Sequence, residues 1–199
     1  MAELWVPVTL LSVVGAVAWG IWRVSLSQVD TRKTWREFAN AHSMTLEFLP
    51  SGEMRVTGVP FGLPVKMGTR YIGANDGRQL VRELEVPLPR EGISALQMKA
   101  AVSPRKVWAR RDHESPHDRS LPLIWEAQGL HETQLMLLRA DHHVRCRMNN
   151  LLFANPHATV VDGSVRVTSL QDFGASMKAY VELCSLLAQD IDKALDQAP

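Results

Sequence analysis

The residues of this chain best suited to chemistry are a histidine and a cysteine spaced four positions apart. His142 and Cys146 fall in a stretch that predicts a helix, where this spacing places two side chains on one face. A thiol beside an imidazole can act as a nucleophile with its base, or as half of a metal site. Leu135 and Leu138 lie on the same predicted face, and a buried cysteine commonly packs as a small hydrophobic residue. We therefore favour packing, or a polar boundary of the core, over catalysis or metal binding for this pair.

A second group of metal-ligand types lies in the segment 112–118, where two histidines, two aspartates and one glutamate surround Pro116. The proline prevents the helix that would bring His113 and His117 onto one face, so the segment predicts a solvated loop. Phosphate-binding, dinucleotide-binding, nucleophile-elbow and zinc motifs are absent from the sequence. We expect no catalytic residue, metal or cofactor, and an enzyme with an unrecognised site in this loop or at the His-Cys pair is the alternative.

One basic cluster, just before that loop, contains an aromatic residue: Arg105, Lys106, Trp108, Arg110 and Arg111. In a domain tethered to a bilayer, such residues could contact anionic lipid at about 1 kcal/mol each, or contact a protein partner. A solvated strand edge guarded by charge is the simpler interpretation. Nucleic acid is not expected, because acidic residues follow at once and the whole chain has a net charge of only +1.

The strongest functional signal is the uncharged stretch from Leu4 to Trp22. Its nineteen residues would reach about 28 Å as a helix, close to the hydrocarbon thickness of a bilayer. Trp5, Trp19 and Trp22 fall near its two ends, as indole side chains do at membrane interfaces. We predict a permanent transmembrane anchor, with a cleaved signal peptide and a buried core helix as the alternatives.

A cleaved signal peptide is the main alternative to the anchor, because Ala16-Val17-Ala18 has the small-x-small form of a cleavage site. Two observations oppose it. The segment MAEL before the apolar run has no Lys or Arg, and the apolar run continues past the supposed cut to Trp22.

The orientation of the anchor follows from four cations beyond its C-terminal end: Arg23, Arg32, Lys33 and Arg36. The positive-inside rule places residues 23 onward in the cytoplasm and the N-terminus outside. Two cysteines are too few for a secreted disulfide framework, which agrees with a reducing compartment. The predicted location is the inner (plasma) membrane of a bacterium.

One face of the predicted span carries small residues. Ser12, Ala16 and Gly20 are four apart, and small side chains let two membrane helices approach closely. We predict a helix–helix contact there with a second copy or with a partner's span. The expected partners are therefore the lipid bilayer and a protein, and the chain is interpreted as an interaction or assembly module.

The rest of the chain predicts one α+β domain over 27–199, after an anchor over 1–26, with an exposed charged loop at about 103–121. Six segments have the composition of strands, and the first four predict an antiparallel meander. They are MTLEFL, EMRVTG, LPVKMGTRY, RQLVRELEVPL, ALQMKAAV and LIWEA. A hairpin is predicted in HATVVDGSVRVTS, because Asp162-Gly163 suits a tight type I′ turn.

Three segments predict helices that pack on one face of the antiparallel sheet. The first is QVDTRKTWREFANAHS, with Trp35, Phe38, Ala39 and His42 on its apolar side. The second is HETQLMLLRADHHVRCRMNNLL, with Leu137, Ala140, Val144, Met148 and Leu151 along one face. The third is the terminal segment from Asp172, the predicted N-cap, with a stripe of Phe173, Met177, Val181, Cys184, Ala188, Ile191 and Leu195.

The order of these parts, with the motifs WREFA, VTGVPFGLPV and VVDGSV, resembles a group of uncharacterised bacterial membrane-anchored proteins. In that group a Trp-x-x-Leu/Phe-Ala helix precedes a Gly-centred hairpin. The resemblance covers most of the chain. It implies an anchored domain without a known activity, and it assigns no catalytic residue.

Overall fold

The computed structural model describes residues 31–73, 79–90, 92–102, 123–170, 173 and 176–197. These residues form an α+β fold of one eight-stranded antiparallel sheet and four helices. The predicted anchor at 1–26 and most of the predicted loop at 103–121 lie outside the described residues.

The described elements have the following bounds. The strands are β1 Thr45–Phe48, β2 Met54–Gly58, β3 Val65–Ile72, β4 Gln79–Pro87, β5 Gln97–Ala100, β6 Trp125–Gln128, β7 Thr159–Val161 and β8 Ser164–Ser169. The helices are α1 over 31–41, α2 Glu132–Ala140, α3 His142–Ala154 and α4 Met177–Asp196.

The sheet confirms the six predicted strands and the predicted hairpin. Its order is β1-β2-β3-β4-β8-β7-β5-β6, so the first four strands form the expected meander. Strands β5 and β6 pair with each other at the far edge, and they join the sheet through the pairing of Met98 with Val160. The hairpin turn has positive φ angles at Asp162 (51°) and Gly163 (70°). Two positive values are what a type I′ turn requires.

One face of the sheet is buried under helices, as expected for an antiparallel sheet with alternating residues. Val56, Met67, Leu84 and Val167 point inward and join Trp35 of α1 and several α4 residues in one hydrophobic cluster. Their strand neighbours carry charges on the opposite, outer face. All seven stripe residues of the terminal segment are buried. The α4 stripe therefore supplies much of the core, as the sequence predicted.

The terminal helix begins later than its sequence suggested. It starts at Met177, and Ser176 occupies the N-cap position. Phe173 is buried ahead of the helix instead of within it. The predicted cap, Asp172, lies outside the described residues.

The prediction of a single helix around residues 131–152 is wrong, because the helix is interrupted at Asp141. Asp141 has an extended backbone (φ −65°, ψ 122°), and its carboxylate accepts a hydrogen bond from the Val144 N–H at 2.8 Å. A short carboxylate that caps a helix end competes with continuing the helix. Because of this interruption, α2 does not continue the buried face of α3. Leu135 and Leu138 are buried in α2, while Ala140 is exposed.

Candidate functional site

The predicted pair His142 and Cys146 does share one face of α3. The Cys146 Sγ lies 3.3 Å from the His142 Nε2 and 3.9 Å from its Nδ1. His142 is exposed and Cys146 is half-buried, so a small reagent can reach the thiol. Their closeness follows from the four-residue spacing on a helix.

Within the part of the chain that the structure describes, the surroundings of this pair do not complete a catalytic group. A nucleophile–base pair normally has a third group that orients the base. The His142 ring meets that of His143 at 5.9 Å between centroids in an edge-on arrangement, and the carboxylate of Asp141 caps the helix. No group of three or more His, Cys, Asp or Glu side chains that could hold a metal occurs in the described ranges. The pair is therefore a thiol with a neighbouring imidazole at the start of a helix.

The second thiol, Cys184, is fully buried in α4. Burial raises the pKa of the Cys184 thiol, because the charged thiolate would lose its hydration. Tyr180, one turn earlier, donates a hydrogen bond to the Ala154 carbonyl at 3.0 Å. Burial, and secondarily the Coulomb interaction with Cys184, raises the pKa of the Tyr180 hydroxyl as well. Both groups stay protonated at neutral pH and are structural.

The outer face of the sheet holds an open hollow of about 560 Å³ across β2, β3 and β4. Gly68 forms part of its floor because it places no side chain between Arg55 and Glu83, its neighbours across the two ladders. Charges of both signs line it, and the Arg70–Glu83 ion pair at 2.7 Å neutralises part of them. Such a surface can take polar contacts but shows no convergence on one reacting atom.

The other predicted site residues fall in three segments. The small-residue face of Ser12, Ala16 and Gly20 lies outside the described residues, as does the 112–118 loop. The same holds for the basic cluster of Arg105, Lys106, Trp108, Arg110 and Arg111. Among the helices that the structure describes, none is long and apolar enough to cross a membrane.

A feature that sequence analysis missed lies at one end of the strands. β1 ends where β2 begins, because Phe48 pairs with Met54. β3 ends where β4 begins, with Ile72 opposite Gln79. β8 ends beside β4, where Ser169 pairs with Arg82. The antiparallel register brings these three strand ends to the same side of the sheet, the edge formed by the ends of the strands and not by an outer strand.

The N-terminal end of the described chain reaches this same edge. Thr31 and Arg32 line a small pocket with Met54, Thr69 and Tyr71. The Arg32 guanidinium lies 5.9 Å from the centroid of the Phe48 ring. We call this region the entry edge and define it by six residues: Arg32, Phe48, Tyr71, Ile72, Arg82 and Leu170.

The entry edge is rich in exposed apolar side chains. The described residues include eight large apolar side chains that are exposed, and Phe48, Tyr71, Ile72 and Leu170 are four of them. Two more, Val102 and Leu123, flank the undescribed 103–122 segment at strand ends that point the same way. Only Val59 and Met136 lie elsewhere. Scattered exposed apolar residues are normal on a protein surface, whereas six of these eight lie at one end of the strands, which makes that end a candidate contact surface.

Two arginines and one glutamate accompany these apolar residues. The Arg82 guanidinium donates a hydrogen bond to the Leu170 carbonyl at 2.6 Å and so holds the end of β8. Glu53, in the turn before β2, accepts hydrogen bonds from the Ser51 hydroxyl and the Tyr71 N–H. Arg32 is exposed. The entry edge therefore combines apolar and aromatic side chains with cationic groups.

Comparison with known proteins adds no relative to this description. No family model matches the chain, no curated protein matches it, and no solved structure matches its fold. The resemblance to uncharacterised membrane-anchored proteins thus stays an interpretation of the motifs quoted above.

Proposed function

We propose that this protein is a single-pass anchored interaction or assembly module of the bacterial inner membrane, with its α+β domain in the cytoplasm. The observation that carries the proposal is the uncharged stretch from Leu4 to Trp22, followed by Arg23, Arg32, Lys33 and Arg36. Length and charge asymmetry of this kind are typical of a span whose C-terminal side faces the cytoplasm.

The position of the entry edge supports an anchored arrangement. The first described residues after the apolar stretch, Thr31 and Arg32, lie beside exposed Phe48 and Tyr71. Apolar and aromatic residues near the point of attachment suit a domain held close to a lipid surface.

The assembly part of the proposal depends on the span and on the surfaces of the domain. Ser12, Ala16 and Gly20 give the span a face on which a second helix can pack closely. The polar outer face of the sheet, with the hollow beside Gly68, adds an open surface in the cytoplasm for protein contacts. The partner is expected to be a membrane protein or a second copy of this chain.

The topology is tested with two C-terminal fusions of the full chain. A cytoplasmic C-terminus leaves an alkaline phosphatase fusion inactive and makes a fluorescent protein fusion bright, because the phosphatase requires export to fold. The same fusions, placed after a control chain with Arg23, Lys33 and Arg36 changed to Glu, report whether these charges set the orientation. An active phosphatase on the unchanged protein would contradict the proposal.

A further inference from the structure

We propose that the entry edge is a membrane-docking surface. The domain rests its strand ends on anionic lipid in the cytoplasmic leaflet of the membrane that its own span crosses. This inference rests on the proposed anchor. It adds an orientation of the domain and assigns the contact to Phe48, Tyr71, Ile72 and Leu170, with Arg32 facing lipid headgroups and Arg82 holding the end of β8.

The length of the connecting chain limits where the entry edge can be. Eight residues separate Trp22 from Thr31. Nine virtual bonds span at most about 32 Å when extended, and about 14 Å when helical. The entry edge, where Thr31 lies, is therefore held within that distance of the end of the proposed span.

The chemistry of the edge fits an interfacial location. Phe48 and Tyr71 are aromatic, and Ile72 and Leu170 are aliphatic, so their burial among lipid removes apolar surface from water. Arg32 lies over the Phe48 ring, where its guanidinium can reach phosphate groups while its stem stays apolar. Among the described residues, Glu47 and Glu53 are acidic groups near this edge, and the two hydrogen bonds of Glu53 keep its carboxylate on the protein.

The opposite edge of the sheet has a different composition. Arg90 pairs there with Asp192 and Asp196 near the end of α4, and Asp162 pairs with Arg166 in the β7–β8 turn. Val59 is the large exposed apolar residue of that edge within the described ranges. A docked domain would thus place its ion-paired edge toward the cytoplasm and its apolar edge toward lipid.

The test uses full-length protein, one copy per lipid nanodisc containing phosphatidylglycerol, with Cys146→Ser as the background. A nitroxide label is attached to Leu170→Cys or Ile72→Cys, and in matched controls to Val59→Cys or Met136→Cys. The controls are well matched, because Leu170, Val59 and Met136 are 60%, 63% and 61% exposed. Collisions with oxygen, which partitions into lipid, and with a water-soluble nickel chelate are measured by paramagnetic resonance.

We expect labels at Leu170 and Ile72 to collide less with nickel and more with oxygen than the two control labels. Labels that are equally accessible to nickel at all four positions, in discs that retain the protein, would overturn docking but not the anchor. Shielding from both reagents would also overturn docking, because it indicates a protein cover such as a second copy. Protein that does not stay with the discs would overturn both proposals.

The cationic contribution is measured with Arg32→Gln. In phosphatidylglycerol discs this change should lower the docked population relative to undocked by about fivefold, and it should have no such effect in neutral discs. Lys66→Gln is the control, because Lys66 is an exposed cation at the other end of β3. An Arg32 effect that is equal in neutral discs would contradict a headgroup contact.

Discussion

The ion pair that joins α3 to α4 gives a quantitative test of how the core is held together. The Arg147 Nη1 lies 2.7 Å from the Asp190 Oδ2, and it donates a hydrogen bond to the Leu186 carbonyl at 2.8 Å. The Asp190 side chain is only 9% exposed, whereas that of Arg147 is 25% exposed. The carboxylate is therefore far more dependent on its partner than the guanidinium is.

The two single changes should differ for this reason. Arg147→Met leaves a buried carboxylate without its cation, and we expect a loss of about 3 to 5 kcal/mol in the free energy of unfolding. Asp190→Leu leaves a guanidinium that can shift toward water, and we expect about 1 to 3 kcal/mol. The double variant replaces the pair by two apolar residues and should lie close to the unchanged protein.

The measurement is urea unfolding of the full chain in mild detergent, followed by the fluorescence of the buried Trp35 and Trp125. Lys99→Met is the control, because its ion pair with Glu126 at 3.2 Å is more than half exposed on both sides. That change should cost less than about 1 kcal/mol. If Arg147→Met costs no more than the control, or if the double variant loses the sum of the single losses, the argument is wrong.

Four further predictions concern the helices and the thiols. Val181→Asp places a charge at a fully buried α4 position and should cost several kcal/mol; an unaltered melting temperature would show that the stripe does not serve its own core. Iodoacetamide should modify Cys146 in the native protein but Cys184 only after unfolding, and equal rates would contradict its burial. Burial raises the pKa of the Cys184 thiol above its ordinary 9.0. The thiol therefore loses its proton at a lower pH in the unfolded chain than in the folded one, so stability should fall above about pH 9. Cys184→Ala should flatten that fall. Changing Ala16 and Gly20 together to Leu keeps the stretch apolar, and it should reduce self-association and partner recovery from membranes; unchanged recovery would make the anchor only a tether.

Local patterns in the sequence predicted the elements of this fold well. Composition and the turn residues between them identified the β2 and β3 segments as strands, and their burial alternates because a sheet covered on one side imposes a two-residue period. The Asp162-Gly163 pair identified its turn, since both residues tolerate positive φ. Recurrence of apolar residues identified α4 and its buried face.

The break at Asp141 shows where local patterns were insufficient. The segment contains no Gly or Pro between Glu132 and Ala154, and its apolar residues continue at helical spacing. A capping hydrogen bond to the Val144 N–H nevertheless separates α2 from α3. An aspartate favours a cap only when the following helix has its own surface to pack against, and that is decided by tertiary structure.

The candidate surfaces were the least predictable part. Phe48, Ile72 and Leu170 come from three distant parts of the sequence, and each one alone is an unremarkable apolar residue at the end of a strand. Only the order of the sheet, with β4 next to β8, brings them to one edge. That order depends on long-range pairing, which the sequence pattern of a single strand does not encode.

The direction of α4 connects the proposed topology with the proposed docking. Its N-terminal part follows the end of β8, and its last turn contacts Arg90 in the loop after β4, so it runs from the entry edge to the opposite edge. Its 20 residues cover about 30 Å. A domain docked by its entry edge therefore holds its C-terminal helix end away from the lipid surface. A fusion partner at that end would report topology without competing for the lipid contact, and a protein bound at the opposite edge would be reached from the cytoplasm. If a C-terminal fusion displaced the spin labels at Leu170 and Ile72 from lipid, this orientation of the domain would be refuted even though the chain remained anchored.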